Sequence, residues 1–232
     1  DGANYSDNKY ETMLIEANYD TEAFLYTYIY SNRDMNEENL QDFDGAPVHL
    51  LRMNFFNDWE QTSHELRVTS QFSDKVQFIA GIYDWETEFY QRWDVYDLFY
   101  QLSRLGVPPW PSGRIGVPGY SDVAVWEDDV AGNNGQAQKT TSTAVFFSAD
   151  WYLTEQWTLT AGLRWTEEEK DFVGGASAPG YYPLRGEPWP GIYNPYIAKK
   201  KWTETTPKVG LRFEPNDSSM YYLSYSEGFK SG

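Results

Sequence analysis

TAVFFSADWYLTEQWTLTAGLRWTEEEKDF, residues 143–172, consists of two long alternating runs joined by a short polar turn. In the first run Val145, Phe147, Ala149, Trp151 and Leu153 fall on one face, while Ser142, Ser148 and Asp150 fall on the other. In the second, Trp157, Leu159, Ala161, Leu163 and Trp165 share one face and Thr158, Thr160, Gly162, Arg164 and Thr166 share the opposite one. A period of two belongs to a β-strand, because successive side chains leave opposite sides of the pleat. Each run exceeds the usual globular strand of about five or six residues and reaches the roughly nine to eleven needed to cross a bilayer at a tilt. With an aromatic at each end of its apolar face, the pair reads as a membrane β-hairpin.

Composition is compatible with that reading. Aromatics make up 18% of the chain, with 19 Tyr, 13 Phe and 10 Trp, a share that favours strands and interfacial side chains. A mean hydropathy of −0.66 and the lack of any apolar run near 18 residues exclude a membrane-spanning helix. A barrel is not excluded, since alternation hides the hydrophobicity of its strands. The chain has 0 Cys and 2 His, which removes disulfide and thiolate chemistry and leaves little for an imidazole metal site. A net charge of −17 argues against a nucleic-acid partner. The start, DGANYSDNKYE, has neither a basic n-region nor an apolar h-region, and the chain stops in mid-pattern after GFKSG. The expectation is therefore an internal fragment or a processed chain.

Eight strands are expected, at about 10–19, 23–32, 60–72, 76–89, 142–153, 157–170, 203–214 and 219–230. The connections within successive pairs are short and polar: Asp20-Thr21-Glu22, Ser73-Asp74-Lys75, Thr154-Glu155-Gln156 and Pro215-Asn216-Asp217-Ser218. The other three, about 33–59, 90–141 and 171–202, are long and rich in Gly, Pro, Asn, Asp and aromatics. Short periplasmic turns alternating with long extracellular loops are the rule in outer-membrane barrels. The fold class expected is all-β, an antiparallel up-and-down transmembrane β-barrel segment.

Aromatics cluster at the strand ends. Tyr19, Phe24, Phe72, Trp151, Tyr152, Trp157, Phe213, Tyr221 and Tyr222 lie beside the short turns, and Trp85, Phe89, Tyr90, Trp165, Phe172, Trp202 and Phe229 beside the long loops. They are expected to form two interfacial girdles. Alternation alone leaves open which face is outside, since a soluble barrel with an apolar interior shows the same pattern. Strand length and one-sided long loops favour an outward apolar face. The opposite face then carries Glu65, Arg67, Thr69, Gln71, Arg164, Lys208, Arg212 and Glu214 towards a wet or plugged lumen. Gly81, Gly162 and Gly210 fall on that face too, where a missing side chain permits bending or close approach of another element.

Three segments in order, SHELRVTSQFSDKVQFIAGIYDWETEF from Ser63, STAVFFSADWYLTEQWTLTAGLRWTEEEKDF from Ser142 and TPKVGLRFEPNDSSMYYLSYSEGFKSG from Thr206, resemble the β-barrel of TonB-dependent outer-membrane receptors. The similarity covers most strand positions from about Trp59 to Gly232 and is weak in the long loops. It implies a barrel of about 22 strands around an N-terminal plug, in the outer membrane of a Gram-negative bacterium. It also implies uptake of a scarce ligand, such as a ferric siderophore, cobalamin or an oligosaccharide, energised by the TonB complex through the plug. No plug domain, TonB box or terminal barrel strand is legible in residues 1–232, which correspond to roughly a third of the implied strands. On this resemblance, ligand contacts come from loop aromatics: Trp93, Tyr96, Tyr100 and Trp110 in the longest loop, and Tyr181, Tyr182, Trp189, Tyr193 and Tyr196 in the next. Their faces stack on sugar rings or planar chelators. Packing of the loops against one another is the alternative role for each.

The chain offers little for catalysis. Glu167, Glu168 and Glu169 are adjacent rather than convergent, and His49 and His64 have no arguable partner for a nucleophile system. Asp122, Glu127, Asp128 and Asp129 supply hard oxygens without the spacing of an EF-hand loop. No enzyme activity, metal or cofactor is expected. Two other functions stay open: a self-contained eight-stranded outer-membrane barrel with a structural or adhesion role, and a soluble carbohydrate-binding β domain.

Overall fold

The backbone ladder holds the chain as one continuous meander. The computed structural model describes residues 4–42, 52–71, 73–96, 130–177 and 192–232, and in them eight antiparallel strands are hydrogen-bonded in sequence order. These are β1 (Tyr5–Asp20), β2 (Phe24–Asp42), β3 (Arg52–Ser70), β4 (Val76–Tyr96), β5 (Val130–Tyr152), β6 (Trp157–Ser177), β7 (Ile192–Asn216) and β8 (Ser219–Ser226). Among the described residues β1 pairs only with β2 and β8 only with β7. The sheet is open, with a free edge at each side.

Each short turn is closed by a side-chain oxygen at or near its start. The hydroxyl of Thr21 accepts from the Phe24 amide at 2.9 Å, and that of Ser73 from Lys75 at 3.1 Å. Thr154 accepts from Gln156 and Trp157 at 3.2 and 3.1 Å, and Asn216 from Ser218 at 3.0 Å. Thr, Ser and Asn do this because their short polar side chains reach the backbone two or three residues on.

The strands outrun their sequence-based bounds on the side away from these turns. β2 continues to Asp42, β4 to Tyr96 and β6 to Ser177, while β3, β5 and β7 begin at Arg52, Val130 and Ile192. β1 starts at Tyr5, and β8 ends earlier than expected, at Ser226. At about 3.3 Å per residue the 23 residues of β5 span roughly 75 Å, more than twice the thickness of a hydrocarbon layer. In the added length both faces are polar or mixed, so alternation of hydrophobicity vanishes although backbone pairing continues.

Register sorts the side chains onto two unlike faces. One carries the rows Tyr19, Tyr26, Val68, Ala80, Phe147, Leu163, Pro207 and Ala17, Tyr28, Leu66, Ile82, Val145, Trp165, Thr205. Its large side chains are exposed, Leu66 by 50%, Ile82 by 52% and Leu163 by 52%. The opposite face carries Thr27, Ser31, Ser63, Thr87, Thr140, Ser142, Ala144, Thr158 and Thr166, all buried. No second layer covers the sheet among the described residues, and these small side chains sit between larger neighbours on their own face, such as Phe146 against Gly81. The polar face is thus the inner face. From Trp157 to Trp165 the apolar stretch of β6 measures roughly 26 Å along the strand, or about 20 Å in height at a barrel-like tilt. Its upper edge climbs from Pro207 on β7 through Ile82 on β4 to Met13 on β1. That is on the order of one residue per strand, the stagger that tilted strands crossing a level plane require.

The girdle at the short turns forms on the outer face: Trp157 stacks on Phe213 at 4.3 Å, Phe213 on Tyr221 at 6.4 Å, and Phe24 meets Phe78 at 6.3 Å. Tyr152 and Tyr222, expected there, have the parity of the inner face, and Phe72 lies outside the described residues. The second girdle needs correcting. Trp85, Phe89, Phe172 and Trp202 belong to the inner face, Tyr90 sits on the outer face well above the apolar stretch, and Phe229 follows the last strand. Only Trp165 of that set stands at the apolar edge, where it is joined by Tyr28, Tyr30 and His64. The Tyr28 hydroxyl meets His64 Nδ1 at 2.8 Å and the Tyr30 ring centroid lies 5.1 Å from that of His64. Just above, lysines bridge carboxylates of the neighbouring strand: Lys139 to Glu86 and Glu88, Lys199 to Glu169 and Asp171, and Lys201 to Glu167.

The three inner-face glycines differ. A Cβ on Gly81 would meet the Phe146 ring at 2.5 Å and the Leu66 carbonyl at 2.7 Å, and one on Gly162 the Phe147 carbonyl at 3.1 Å. At Gly210 the nearest atom is at 3.6 Å, an ordinary contact. Close approach therefore requires glycine at 81 and not at 210. Gly81→Ala is expected to lower stability by about 1–3 kcal/mol through overpacking, while Gly210→Ala stays within about 1 kcal/mol of the parent or gains slightly. Denaturant unfolding of the detergent-refolded protein followed by tryptophan fluorescence checks both.

Candidate functional site

The inner face of the extended strands, towards the long loops, gathers aromatic and amide side chains in rows. Arg33, Gln61, Thr87, Thr140, Lys170 and Lys200 form one row, and Met35, Trp59, Phe89, Gln138, Phe172 and Ala198 the next. Above them come Glu37, Asn57, Gln91 and Gln136, and then Asn39, Phe55 and Trp93. Strand pairing builds each row, because residues directly opposite in an antiparallel ladder share a face.

The amide row is linked side chain to side chain. Gln136 Nε2 donates to Gln91 Oε1 at 2.9 Å, Gln91 Nε2 to Asn57 Oδ1 at 2.9 Å, and Asn57 Nδ2 to Glu37 Oε2 at 3.1 Å. The Tyr10 hydroxyl donates to the other oxygen of Glu37, so that the chain of bonds crosses β5 to β1. Above it the rings of Phe55 and Trp93 lie 6.3 Å apart.

Lower on the wall, Trp202 accepts two cations: Lys200 Nζ is 4.9 Å and Lys170 Nζ 5.6 Å from its ring. Lys170 also approaches Glu168 at 3.7 Å, and the Ser231 hydroxyl donates to Glu168. Nearer the short turns the inner face carries paired charges. Arg67 bonds Glu65, Arg212 lies 3.4 Å from Glu214, Thr160 donates to Asp150 at 2.6 Å, and the Arg164 guanidinium sits 5.8 and 5.9 Å from the rings of Tyr83 and Phe146. A cleft of about 370 Å³ runs across β4 to β7 at the height of the Phe89 row, bordered by Glu88, Tyr90, Lys139, Val173 and Ile197 and by Phe89, Gln138, Phe172 and Ala198 of that row. The three adjacent glutamates diverge as expected, Glu167 and Glu169 to outer-face lysines and Glu168 inward.

Of the candidate ligand residues, Trp93 is on the inner face, 37% exposed, near the end of β4. Tyr96 and Tyr193 are strand residues at the ends of β4 and β7 rather than loop residues, as is the exposed Tyr196. In the sequence these positions read as loop because the outer thirds of these strands carry no apolar alternation. Tyr100, Trp110, Tyr181, Tyr182 and Trp189 lie outside the described residues, as do His49 and the Asp122–Asp129 carboxylates. The amide row was missed for the same reason as the strand ends. The available signal was parity: Gln91 and Trp93 keep the phase of Gly81 on β4.

Glu37 ties β1 to β3 at the free edge, so Glu37→Ala is expected to speed amide exchange in Tyr5–Tyr10 by roughly tenfold, the effect of losing a bond network worth about 1–2 kcal/mol. Hydrogen–deuterium exchange by mass spectrometry reads it.

A family model described as TonB dependent receptor-like, beta-barrel, matches residues 1–232. No curated protein sequence matches the chain. Among solved structures, the ferric yersiniabactin uptake receptor FyuA from Yersinia pestis is similar with a TM-score of 0.66 and 13% identity, over 94% of this chain and 28% of the receptor. The ferric-catecholate import receptor Fiu from E. coli K12, in its open form, gives 0.62 and 12%, over 97% and 36%. The siderophore receptor PiuA from Acinetobacter baumannii gives 0.59 and 14%, over 96% and 32%. The chain thus spans about a third of the length of these receptors, and at such identities the likeness is one of fold.

Proposed function

The chain belongs to the family of TonB-dependent receptor-like β-barrels, and from that premise we propose that it forms part of the wall of an outer-membrane transport receptor in a Gram-negative bacterium. The receptor binds a scarce ligand, a ferric siderophore, cobalamin or an oligosaccharide, at its outer mouth. Uptake is energised by the TonB complex through a plug, and the wall takes no catalytic part.

One observation carries this reading: the chain is inside-out relative to a soluble protein. Leu66, Ile82, Val145, Phe147 and Leu163 are exposed while small polar residues of the opposite face are buried. An exposed apolar surface this continuous marks a lipid or partner contact, and girdles at both edges fit headgroup depth. The same assignment puts the short turns in the periplasm and the lysine–carboxylate belt outside the cell. It turns Arg67, Arg164, Lys208 and Arg212 towards the interior, where a plug provides their further partners. Ligand contacts then come from Trp93, Tyr96 and Tyr193 at the upper rim together with Tyr100, Trp110, Tyr181, Tyr182 and Trp189.

A free edge at β1 and another at β8 also favour a wider barrel over a self-contained eight-stranded one, because unpaired backbone groups are not tolerated in lipid. Expressed with its flanking sequence, the protein is expected in the detergent-extracted outer-membrane fraction. Recovery in the soluble fraction without detergent overturns the reading. Ala161→Arg, at the middle of the apolar stretch of β6, is expected to cost about 2–4 kcal/mol of stability in lipid vesicles, whereas Thr160→Arg on the inner face costs less. A soluble protein reverses that order, since an outward-facing position in water tolerates arginine.

A further inference from the structure

We propose that the inner-wall row of Asn57, Gln91 and Gln136 is a subsite for a neutral polyhydroxylated ligand, an oligosaccharide, lying across β3 to β5. The proposal rests on the reading of the inner wall as the ligand's side of a receptor, and it selects one ligand class from those named above.

Three features converge on it. The amides are joined in a line by hydrogen bonds of 2.9 Å, which fixes their planes without exhausting them. Each carboxamide offers two N–H donors and two carbonyl lone pairs, so Asn57 and Gln91 each keep a donor and an acceptor for ligand. Paired donor and acceptor sites in one plane match vicinal hydroxyls, which both give and receive. Adjacent strands stand about 4.8 Å apart, close to the rise of one pyranose unit, so successive rings meet successive rungs.

Aromatic faces flank the line on both sides. Trp59 and Phe89 stand one row below, and Phe55 and Trp93 one row above. The two rows are four residues apart, roughly 13 Å, with the amides midway. Rings so placed bury the C–H faces of sugars while the amides take the hydroxyls.

Charge supplies the third argument. Among the described residues, these three rows hold no lysine or arginine on the inner face, and the carboxylate of Glu37 ends the line. At this height Arg92, Lys139 and Lys199 are on the outer face against carboxylates. The inner cations Arg33, Lys170 and Lys200 sit a row or more lower, two of them over Trp202. An anionic chelate at the amide row would face a carboxylate with no cation beside it among the described residues, whereas a neutral polyol meets no such penalty.

The test titrates the full-length receptor in detergent with maltohexaose, cellohexaose and xylohexaose, and in parallel with a ferric tris-catecholate, by calorimetry and tryptophan fluorescence. At least one hexasaccharide is expected to bind. Asn57→Ala and Gln91→Ala should each weaken it roughly five- to tenfold, the loss expected for one or two hydrogen bonds. Gln77→Ala, on the same face near the short turns, should leave affinity unchanged. If an alanine variant fails to fold, Gln91→Glu keeps size and acceptor, removes the donor and carries the same expectation. Catecholate binding without saccharide binding overturns the assignment and leaves the receptor reading standing. Binding of neither class overturns the assignment, while the receptor reading stands or falls on the membrane-fraction test above, and saccharide binding indifferent to Asn57 and Gln91 overturns the placement.

Discussion

Everything in this protein hangs on the uninterrupted antiparallel backbone ladder. Each strand from β2 to β7 is paired on both sides, by up to 21 aligned residues between β4 and β5, and the turns that reverse it are closed by Thr21, Ser73, Thr154 and Asn216. Backbone amides and carbonyls are obligatory hydrogen-bonding groups whatever side chains they carry, which is why the pairing persists where the side chains change from apolar to charged. The ladder also fixes register, and register fixes which residues share a face. The lysine–carboxylate belt, the amide row and the aromatic edge all follow from it.

A single sheet cannot hide an apolar face behind a second layer. Here large apolar side chains such as Leu66, Ile82 and Leu163 stay exposed on one face, and the buried positions of the opposite face at the same height are Ser, Thr and Ala. Gly81 shows the constraint at its tightest, since the Phe146 ring occupies the space its side chain would take. Arg164 then lies against Phe146 and Tyr83, so one missing side chain positions an aromatic and a cation above it. The lysine–carboxylate pairs of the outer face are largely exposed and individually weak. Their position is the informative part, because charge begins where the apolar stretch ends.

The hairpin of residues 143–172 was legible because its two faces differ sharply in polarity, and the same contrast located all eight strands. Where the contrast fades, at Glu37, Asn57, Gln91 and Gln136, strand looked like loop, and the inner rows stayed hidden. Trp85 and Trp202 show the related error. Their distance along the chain from the short turns suggested a girdle, but parity turns them inward. Among the loop aromatics, Trp93 proved to be a wall residue, and its neighbour across the ladder, Phe55, lies 38 residues away in sequence.

By itself the sequence determined the strand order, the turn chemistry, the polarity of each face and the family, because these depend on alternation and short-range hydrogen bonding within a hairpin. Only the tertiary structure decided how far the strands run, which residues stand side by side on the inner wall and that the sheet stays open. Those depend on register between strands far apart in sequence, and on curvature, neither of which leaves a periodic trace in a polar segment.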